Sequence, residues 1–358
     1  MRVLFDGFWW AKGPTANQTV MREFVLGWHR AFPGDELVVA VRRKHLTSIE
    51  MPTGIKLTHT RLAPQALANS LEIPVLAKRL GADVAIAHNY TPLFGKSLVF
   101  IHDLLFEEHP EWFSWKERLY FSPMALMAHR AHVVATSSRT ESLRIERLHS
   151  RLAPVAAVGL GVSTQLARSP AQRPSQLDTV DAFAVSVGRL NRRKNLGVAL
   201  EGALRSQRIT SDRPLVIVGS SGYSGVGAEL PPSVRNGIND GRLIFLGHIS
   251  DAELRWTYEN ADFLLFLSRD EGFGLPPVES QYFGTPVIAS DIAVMREVVG
   301  ESGVFVDPDS PDAVARAIDK VRLFSLPNDE HPENAWERAA GLMRAAVLRT
   351  SGRGQQND

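Results

Sequence analysis

The fold is decided by the stretch Asn260–Glu279, NADFLLFLSRDEGFGLPPVE. Its apolar run Phe263–Phe266 predicts a buried strand, which a polar segment and a glycine loop follow. Pro276 and Pro277 then favour the start of a helix, because proline fits the first helical turn. Backbone N–H groups at such a helix start point toward one place and can bind an anion. The stretch therefore predicts a strand, an anion-binding loop and a helix in succession.

Short apolar runs alternate with helix-compatible stretches on both sides of this segment, which predicts α/β structure with parallel sheets. A chain of 358 residues is too long for one ordinary α/β unit, so we expect two Rossmann-like parallel-sheet domains facing across a deep cleft. Ligands would bind beyond the carboxyl ends of the strands. The other apolar runs are Val3–Phe5, Leu37–Val41, Val84–Ala87, Leu98–Ile101, Val133–Ala135, Phe183–Val187, Leu215–Val218, Leu243–Phe245 and Pro286–Ala289.

Composition changes suggest where the domains meet. The polar segment Ala167–Asp181 contains two prolines and no periodicity, and we interpret it as a linker or mobile loop. It separates an N-terminal domain, residues 1–166, from a C-terminal domain, residues 182–325. Residues 326–350 are predicted to form a helix that crosses back to the N-terminal domain, and residues 351–358 a disordered tail.

Bulk composition narrows the function classes. The formal net charge of +1 gives no general affinity for nucleic acid, so none is expected as a partner. The absence of cysteine excludes disulfides and thiolate metal sites and fits a reducing compartment. The early acidic Asp6 argues against a signal peptide, and no apolar run approaches the ~20 residues of a membrane span. We expect a cytoplasmic protein with at most peripheral contact at the inner membrane face.

Glu271 lies in the glycine loop and Glu279 near the start of the helix, so both carboxylates could face one polar ligand. The alternative is an ordinary strand-to-helix turn, with Glu279 a surface residue favoured by the helix dipole. The residues by themselves leave both interpretations open.

The segment EGFGLPPVE, Glu271–Glu279, resembles the E-x7-E signature of the family 4 retaining glycosyltransferases, which have the GT-B fold. The resemblance is specific over Ala182–Ala317 and diffuse over the N-terminal half. It implies that Glu271 lies at the transferred sugar and that Glu279 holds the ribose hydroxyls of a nucleotide-sugar donor. The other donor-binding residues that it implies in this region are His248, Ile249, Gly272, Phe273, Gly274 and Leu275.

A cationic segment, GRLNRRKN, follows the predicted strand Phe183–Val187. Four cations in six residues at a strand end fit a diphosphate site, in which fixed positive charge stabilises the departing nucleoside diphosphate. A solvated basic turn is the alternative. The family pattern G-R-x-x-x-x-K-N maps onto Arg189 and Lys194, which the resemblance makes catalytic and donor-binding. Arg192 and Arg193 are expected on the surface or at the cleft rim.

His102 and Asp103 follow the predicted strand Leu98–Ile101. With the downstream stretch HPEWFSW, His109–Trp115, they resemble the mannosyltransferase-like branch of the same family. The resemblance implies a catalytic His102 that orients hydroxyls of the donor sugar without acting as a general base, and it puts Asp103 near the acceptor. A histidine that merely satisfies nearby backbone groups is the alternative. HPEWFSW could be an acceptor platform, a membrane-edge contact or a homodimer contact.

The loop after the first strand departs from the family. Relatives carry a G-G-x-G-like loop there, whereas this chain has only Gly13, which is followed by Pro14. Gly13 remains a donor-site candidate by position. Trp9 and Trp10 could offer flat faces to an acceptor sugar or could pack in the core.

No cofactor and no obligatory metal are expected, because no convincing D-x-D motif occurs. Asp307-Pro308-Asp309 matches an ordinary turn of the family, with Asp309 as a candidate cap for a helix at Pro311–Lys320.

The resemblance favours a retaining hexosyltransferase that moves α-mannose from GDP-mannose to a saccharide or glycolipid acceptor, partly on the stretch Val218–Tyr223. UDP-glucose or another UDP-sugar stays open as donor, and so does an inactive nucleotide-sugar-binding protein. A GT-B epimerase or phosphorylase is disfavoured, because a phosphorylase would be longer and carry pyridoxal phosphate.

Overall fold

A computed structural model describes residues 1–189, 192–219, 231–322 and 331–352. The chain divides into two compact units. The first comprises Met1–Gly161 and the chain from His331 on, and the second takes in the described residues from Val162 to Arg322.

The first unit is built on a seven-stranded parallel sheet in the order β3-β2-β1-β4-β5-β6-β7. Most of these strands are buried along nearly their whole length, as expected for a parallel sheet that helices cover on both faces. The strands are β1 (Arg2–Gly7), β2 (Glu36–Arg42), β3 (Ile55–Thr60), β4 (Val84–His88), β5 (Ser97–Ile101), β6 (Val133–Thr136) and β7 (Ala156–Ala157). The helices are α1 (Thr15–Ala31), α2 (Gln65–Leu67), α3 (Ile73–Leu80), α4 (Leu105–Glu108), α5 (Trp115–Phe121), α6 (Pro123–Ala128) and α7 (Arg139–Leu148).

The second unit repeats this plan with a six-stranded parallel sheet in the order β10-β9-β8-β11-β12-β13. Its strands are β8 (Ala184–Val187), β9 (Leu215–Val218), β10 (Leu243–Gly247), β11 (Leu264–Phe266), β12 (Val287–Ser290) and β13 (Val304–Val306). Its helices are α8 (Thr164–Arg168), α9 (Leu196–Arg205), α10 (Pro232–Asn239), α11 (Asp251–Asn260), α12 (Leu275–Tyr282), α13 (Ala293–Val299) and α14 (Pro311–Lys320).

Each sheet has one point where the strand order reverses. In the first unit this switch point lies between β1 and β4, and in the second it lies between β8 and β11. Loops leave such neighbouring strands in opposite directions, which opens a crevice at their carboxyl ends where ligands bind. The fold therefore marks the loops after β8 and β11 as a candidate site.

The last described helix, α15 (Pro332–Gly352), belongs to the first unit and packs against α1. Trp336 is fully buried there, and its ring meets the edge of Phe24 with the centroids 5.5 Å apart. A Cβ on Gly27 would lie 2.6 Å from the Trp336 carbonyl oxygen, so glycine permits this close approach. The C-terminal helix thus completes the core of the N-terminal unit. Of the predicted crossing, residues 326–330 lie outside the described residues.

The predicted linker, Ala167–Asp181, is a packed part of the second unit, which begins at Val162. Leu177 is fully buried in the core of that unit. Arg173 donates hydrogen bonds to the carbonyl oxygens of Leu177, at 3.0 Å, and Val180, at 2.7 Å. Arginine side chains here satisfy backbone groups that a helix or strand would otherwise satisfy, and a polar composition does not reveal this.

The structure confirms the predicted fold class of two Rossmann-like parallel-sheet units, which is the GT-B fold. Among the helices of the described residues, none is long and apolar enough to span a membrane. Residues 220–223 of the stretch used to favour GDP-mannose lie outside the described residues, and so does the predicted tail from residue 353 on. Helix α15 continues to Gly352.

Candidate functional site

The loops after β8 and β11 bring three charged side chains together at the switch point of the second unit. Glu271 is 6% exposed, and its Oε1 accepts a hydrogen bond from Lys194 Nζ at 2.5 Å. Its Oε2 accepts a hydrogen bond from Arg193 Nη1. The Lys194 ammonium also lies 4.5 Å from the centre of the Phe266 ring, at the end of β11. The carboxylate therefore sits between two cations at the carboxyl edge of the sheet.

Electrostatics keep Glu271 ionised. Burial would raise its pKa, but the nearby charges of Arg193 and Lys194 outweigh burial and lower the pKa to about 2. One carboxylate thus faces two cations. The excess positive charge makes the site receptive to an anion.

The position of Arg193 corrects the sequence prediction, which put this residue on the surface or at a cleft rim. A short 3-10 turn, Arg192–Lys194, turns the Arg193 and Lys194 side chains toward the end of β11. The Arg269 backbone N–H donates to the Arg193 carbonyl oxygen at 2.8 Å and ties this turn to the β11 loop. Arg189 is exposed and lines one small cavity together with Lys194. Arg192 is exposed, as predicted.

The glycine loop ends in α12, as its prolines predicted. Gly274 directly precedes the helix with φ 100°, a backbone conformation that favours glycine. A Cβ there would also lie 2.6 Å from Met295 Cε. Among the described residues, no side-chain hydrogen bond caps α12 at its N-cap residue Gly274.

Glu279 lies in the second turn of α12 and is half-buried, so it is not a freely exposed surface residue. The hydroxyl of Tyr258, a fully buried residue of α11, donates to Glu279 Oε2 at 2.8 Å. Burial raises the pKa of Glu279 to about 7, even though this hydrogen bond opposes the shift. The group therefore changes charge near neutral pH. The sequence predicted no role for Tyr258.

His248 and Ile249 follow β10, at the same carboxyl edge of the sheet as Arg189. His248 is exposed and Ile249 is half-buried. The Gly219 backbone N–H donates to the Gly247 carbonyl oxygen at 2.8 Å, which joins the ends of β9 and β10. Both predicted donor residues therefore lie along the same sheet edge as the Glu271 cluster, which consists of Glu271, Lys194 and Arg193.

The first unit holds a buried polar network that the sequence analysis missed. Asp6 in β1 is 1% exposed, and its Oδ2 accepts hydrogen bonds from Gln65 Nε2 at 2.9 Å and Asn69 Nδ2 at 2.7 Å. The His88 backbone N–H donates to the same oxygen at 3.3 Å. Burial raises the pKa of Asp6. The signal in the sequence was an acidic residue at the end of an otherwise apolar strand.

His102 directly follows β5, as predicted, and is half-buried. Its ring stacks on that of His88 with centroids 5.5 Å apart and meets the edge of Phe100 at 5.0 Å. Its backbone N–H donates to Asn89 Oδ1 at 3.3 Å. Burial lowers the pKa of His102 to about 3, so the imidazole is neutral at physiological pH. A neutral imidazole can orient hydroxyl groups but carries no fixed charge.

Asp103 serves the local backbone. Its Oδ1 accepts a hydrogen bond from the Leu105 N–H at 3.3 Å, and the neighbouring Leu104 N–H donates to Glu141 Oε1 at 2.8 Å. These bonds fix the loop that carries His102. They leave the predicted acceptor role of Asp103 as a prediction.

The two tryptophans after β1 differ in their surroundings. Trp10 is 7% exposed and belongs to the main core of the first unit. Of its two interpretations, packing in the core is therefore the one that applies. Trp9 is half-buried, and its Nε1 donates to Gln65 Oε1 at 2.9 Å. A Cβ on Gly13 would lie 2.4 Å from the Trp9 ring. Glycine at position 13 is thus required by the packing of Trp9, and its predicted donor contact stays a prediction.

The Asp-Pro-Asp turn differs in one detail from the prediction. Ser310, not Asp309, caps α14, because its Oγ accepts a hydrogen bond from the Ala313 N–H at 3.2 Å. Asp309 instead forms an ion pair with Arg269 at 2.8 Å. Within the described ranges, no group of three or more histidine and acidic side chains is arranged to hold a metal ion.

A family model described as "Glycosyl transferases group 1" matches residues 168–339. The matched segment contains the Glu271 cluster, the glycine loop and Glu279. It leaves most of the first unit unmatched.

Two curated relatives illustrate the similarity at the sequence level. O-antigen chain mannosyltransferase B of Escherichia coli is 33% identical over 189 residues, which are 51% of this chain and 47% of the relative. O-antigen chain mannosyltransferase RfbU of Salmonella typhimurium is 24% identical over 270 residues, which are 71% of this chain and 72% of the relative. The chain thus spans about half the length of the first relative and about three quarters of the second.

Solved structures match over nearly the whole chain. Sucrose-phosphate synthase from Thermosynechococcus elongatus has a TM-score of 0.66 at 19% identity and covers 99% of this chain and 98% of its own. HepE from Anabaena, solved in complex with UDP and glucose, has a TM-score of 0.62 at 18% identity with the same coverage. At such identities the likeness concerns the fold. The chain thus has the GT-B fold, and its residues 168–339 are similar to glycosyltransferases of group 1.

Proposed function

We propose that this chain is a retaining hexosyltransferase that moves mannose from GDP-mannose to a saccharide or glycolipid acceptor without a metal ion. The observation that carries the proposal is the cluster of Glu271, Lys194 and Arg193 at the switch point of the second unit. Its two cations and the α12 start supply what a nucleoside diphosphate needs. Its carboxylate supplies an acceptor for sugar hydroxyls.

Lys194 and Arg193 bind the donor diphosphate, and Arg189 adds charge from the exposed side of the same cavity. Negative charge grows on the diphosphate as its bond to the sugar breaks. Fixed cations in a partly buried site stabilise this charge more strongly than exposed ones would, because water screens them less. The protein thereby takes the part that a divalent metal takes in other enzymes.

Glu271 accepts hydrogen bonds from sugar hydroxyls while it holds the two cations in position. Its lowered pKa keeps it an acceptor throughout the physiological range. Without donor, its carboxylate is the anion that the cations bind. Donor binding then redistributes the same charges between the diphosphate and Glu271.

Retention follows from attack on the face that the leaving group vacates. The bond between the anomeric carbon and the phosphate oxygen breaks, the acceptor oxygen bonds to that carbon on the same side, and the acceptor proton passes to the phosphate. Neutral His102 orients hydroxyls of the donor sugar. No protein residue has to act as a general base in this scheme.

Mannose is favoured as the transferred sugar by the names of the relatives, which include O-antigen mannosyltransferases from two bacteria. UDP-glucose is the second candidate donor, since HepE was solved with UDP and glucose and shares the fold. Thermal shift with GDP, UDP, GDP-mannose and UDP-glucose separates the two. The proposal expects the guanine ligands to raise the melting temperature most, and a larger rise with the uridine ligands would overturn the choice of GDP-mannose.

The stereochemical prediction concerns the first product formed. With GDP-α-mannose as donor, the anomeric proton of that product should show an α-mannoside in proton NMR. A β-mannoside would remove the chain from the retaining class. Donor binding without any turnover across a panel of acceptors would favour the inactive nucleotide-sugar-binding alternative.

Glu279 predicts a pH dependence of nucleotide binding. If its carboxylate accepts the ribose hydroxyls, the ionised form binds better, so affinity for GDP should rise as pH increases through about 7, the pKa of Glu279. Titration calorimetry at several pH values measures this rise. The terminal phosphate of GDP itself titrates at about pH 6 and makes the affinity depend on pH. The Glu279→Gln variant retains this contribution of the ligand and is therefore the reference. Identical pH profiles for the parent and Glu279→Gln would refute the ribose assignment.

Metal removal should leave activity intact. Because Lys194 and Arg193 supply positive charge at the diphosphate, turnover in EDTA should stay within about twofold of turnover in magnesium. Initial rates in the two buffers make the comparison. Activity that vanishes in EDTA and returns only with a divalent ion would contradict the metal-free mechanism.

A further inference from the structure

Three large apolar side chains form an exposed stripe on the first unit. Trp115 and Leu119 of α5 are 69% and 67% exposed, and Leu126 of α6 is 73% exposed. Ser122 between the two helices keeps right-handed helical φ and ψ, so α5 and α6 follow one helical path up to the break at Pro123. The spacing of four residues places Trp115 and Leu119 on one face of α5, and Leu126 is exposed on α6, the helix that follows.

A second exposed apolar group adjoins this stripe. Leu67 and Leu71 are each 44% exposed, and Phe94 is 50% exposed. The Leu93 backbone N–H donates to the Ser70 carbonyl oxygen, and Ser70 Oγ lies 3.9 Å from Met127 Sδ of α6. Two separate segments of the chain that carry exposed apolar side chains therefore lie next to each other on the first unit.

Cations border the stripe. Lys116, Arg118 and Arg130 are exposed, and none of them forms an ion pair with a carboxylate of the described residues. The local carboxylates are engaged elsewhere: Glu117 accepts a hydrogen bond from the Ser114 backbone N–H at 2.8 Å, and Glu111 pairs with His109 at 3.4 Å. The surface thus places exposed apolar side chains next to exposed cations that form no ion pair with a described carboxylate.

We propose that this basic-apolar face, formed by the stripe Trp115, Leu119 and Leu126 with Lys116, Arg118 and Arg130, docks the chain onto the surface of an anionic lipid bilayer. Tryptophan and leucine enter the region between headgroups and acyl chains, where an amphipathic indole is favoured. The cations bind the negative headgroups. The inference does not depend on which nucleotide sugar the protein uses.

Charge favours a bilayer over a second copy of the chain. A symmetric dimer through this face would bring the same three cations of each copy toward one another. Like charges that meet in this way oppose association, whereas an anionic bilayer compensates them. Self-association through the face is therefore the outcome that the test has to distinguish.

Co-sedimentation with vesicles tests the inference. The full chain should bind vesicles made of equal parts of phosphatidylcholine and phosphatidylglycerol. It should bind far more weakly to vesicles of phosphatidylcholine alone. Trp115→Ser combined with Leu119→Ser should lower the partition coefficient at least about tenfold. Lys116→Gln combined with Arg118→Gln should lower binding to the anionic vesicles only, and high salt should have the same effect.

Leu342→Ser is the matched control, since Leu342 is 47% exposed on α15 and outside the face. It should leave binding unchanged, and circular dichroism should show every variant folded. Two outcomes would overturn the inference. One is anionic-vesicle binding that the Trp115/Leu119 double variant does not weaken. The other is a parent that ignores vesicles but forms dimers in light scattering, with the same double variant restoring the monomer.

Discussion

Replacing Glu271 with glutamine is expected to lower kcat about 100- to 1,000-fold, while nucleoside diphosphate binding stays as tight as in the parent or becomes tighter. Glutamine nearly preserves the shape of the side chain but removes the negative charge that Lys194 and Arg193 now share. With that charge gone, both cations are available to the diphosphate. Transfer fails because the sugar loses its charged hydrogen-bond acceptor.

Initial rates and calorimetry with GDP measure the two quantities on the same preparation. Glu259→Gln is the control, since Glu259 of α11 is exposed and pairs with Arg255 at the surface of the same unit. Its kcat should match that of the parent. Because Glu271 is buried, urea unfolding has to accompany the assay. A folded Glu271→Gln variant with near-normal turnover would remove Glu271 from the mechanism.

Replacing Lys194 with glutamine should weaken GDP binding about 100-fold, the largest binding effect that we expect from one substitution. The ammonium is partly buried and bonded to Glu271, so its charge acts in a region that water screens weakly. Its loss also leaves the Glu271 carboxylate with Arg193 as the other cation paired to it among the described residues. Calorimetry with GDP gives the affinity.

Two other cations of the same segment serve as references. Arg189→Gln should weaken binding less than Lys194→Gln and lose most of its effect at high salt, because Arg189 is exposed. Arg192→Gln, which removes an exposed cation from the same turn, should change affinity little. Equal affinities for the Lys194 variant and the parent would mean that this segment is a surface turn and not a diphosphate site.

The architecture and the location of the site were predictable from local patterns. Apolar runs such as Phe263–Phe266, each followed by polar or glycine residues, are typical of parallel strands whose carboxyl ends carry function. The start of α12 at Leu275 follows from Gly274 and two prolines, which restrict the backbone by themselves. These signals are local, so a single sequence is sufficient to detect them.

Contacts between distant segments were not predictable. Arg193 and Glu271 are 78 positions apart, and only the folded β8 and β11 loops show which cation of the segment the carboxylate meets. Asp6 likewise depends on Gln65 and Asn69, which lie in a helical segment with no motif of its own. The segment 167–181 resembles a linker in composition. Arginine side chains donate hydrogen bonds to several of its carbonyl groups, so it packs without the apolar periodicity of a helix or strand.

The most direct test of the central claim is the release of nucleoside diphosphate from GDP-mannose in EDTA, in the presence of a mixture of saccharide and glycolipid acceptors. The account predicts GDP release with formation of an α-mannoside by the parent, and a rate about 100- to 1,000-fold lower for folded Glu271→Gln. Equal rates for the two proteins, or release of nucleoside diphosphate only when a divalent metal is added, would contradict it.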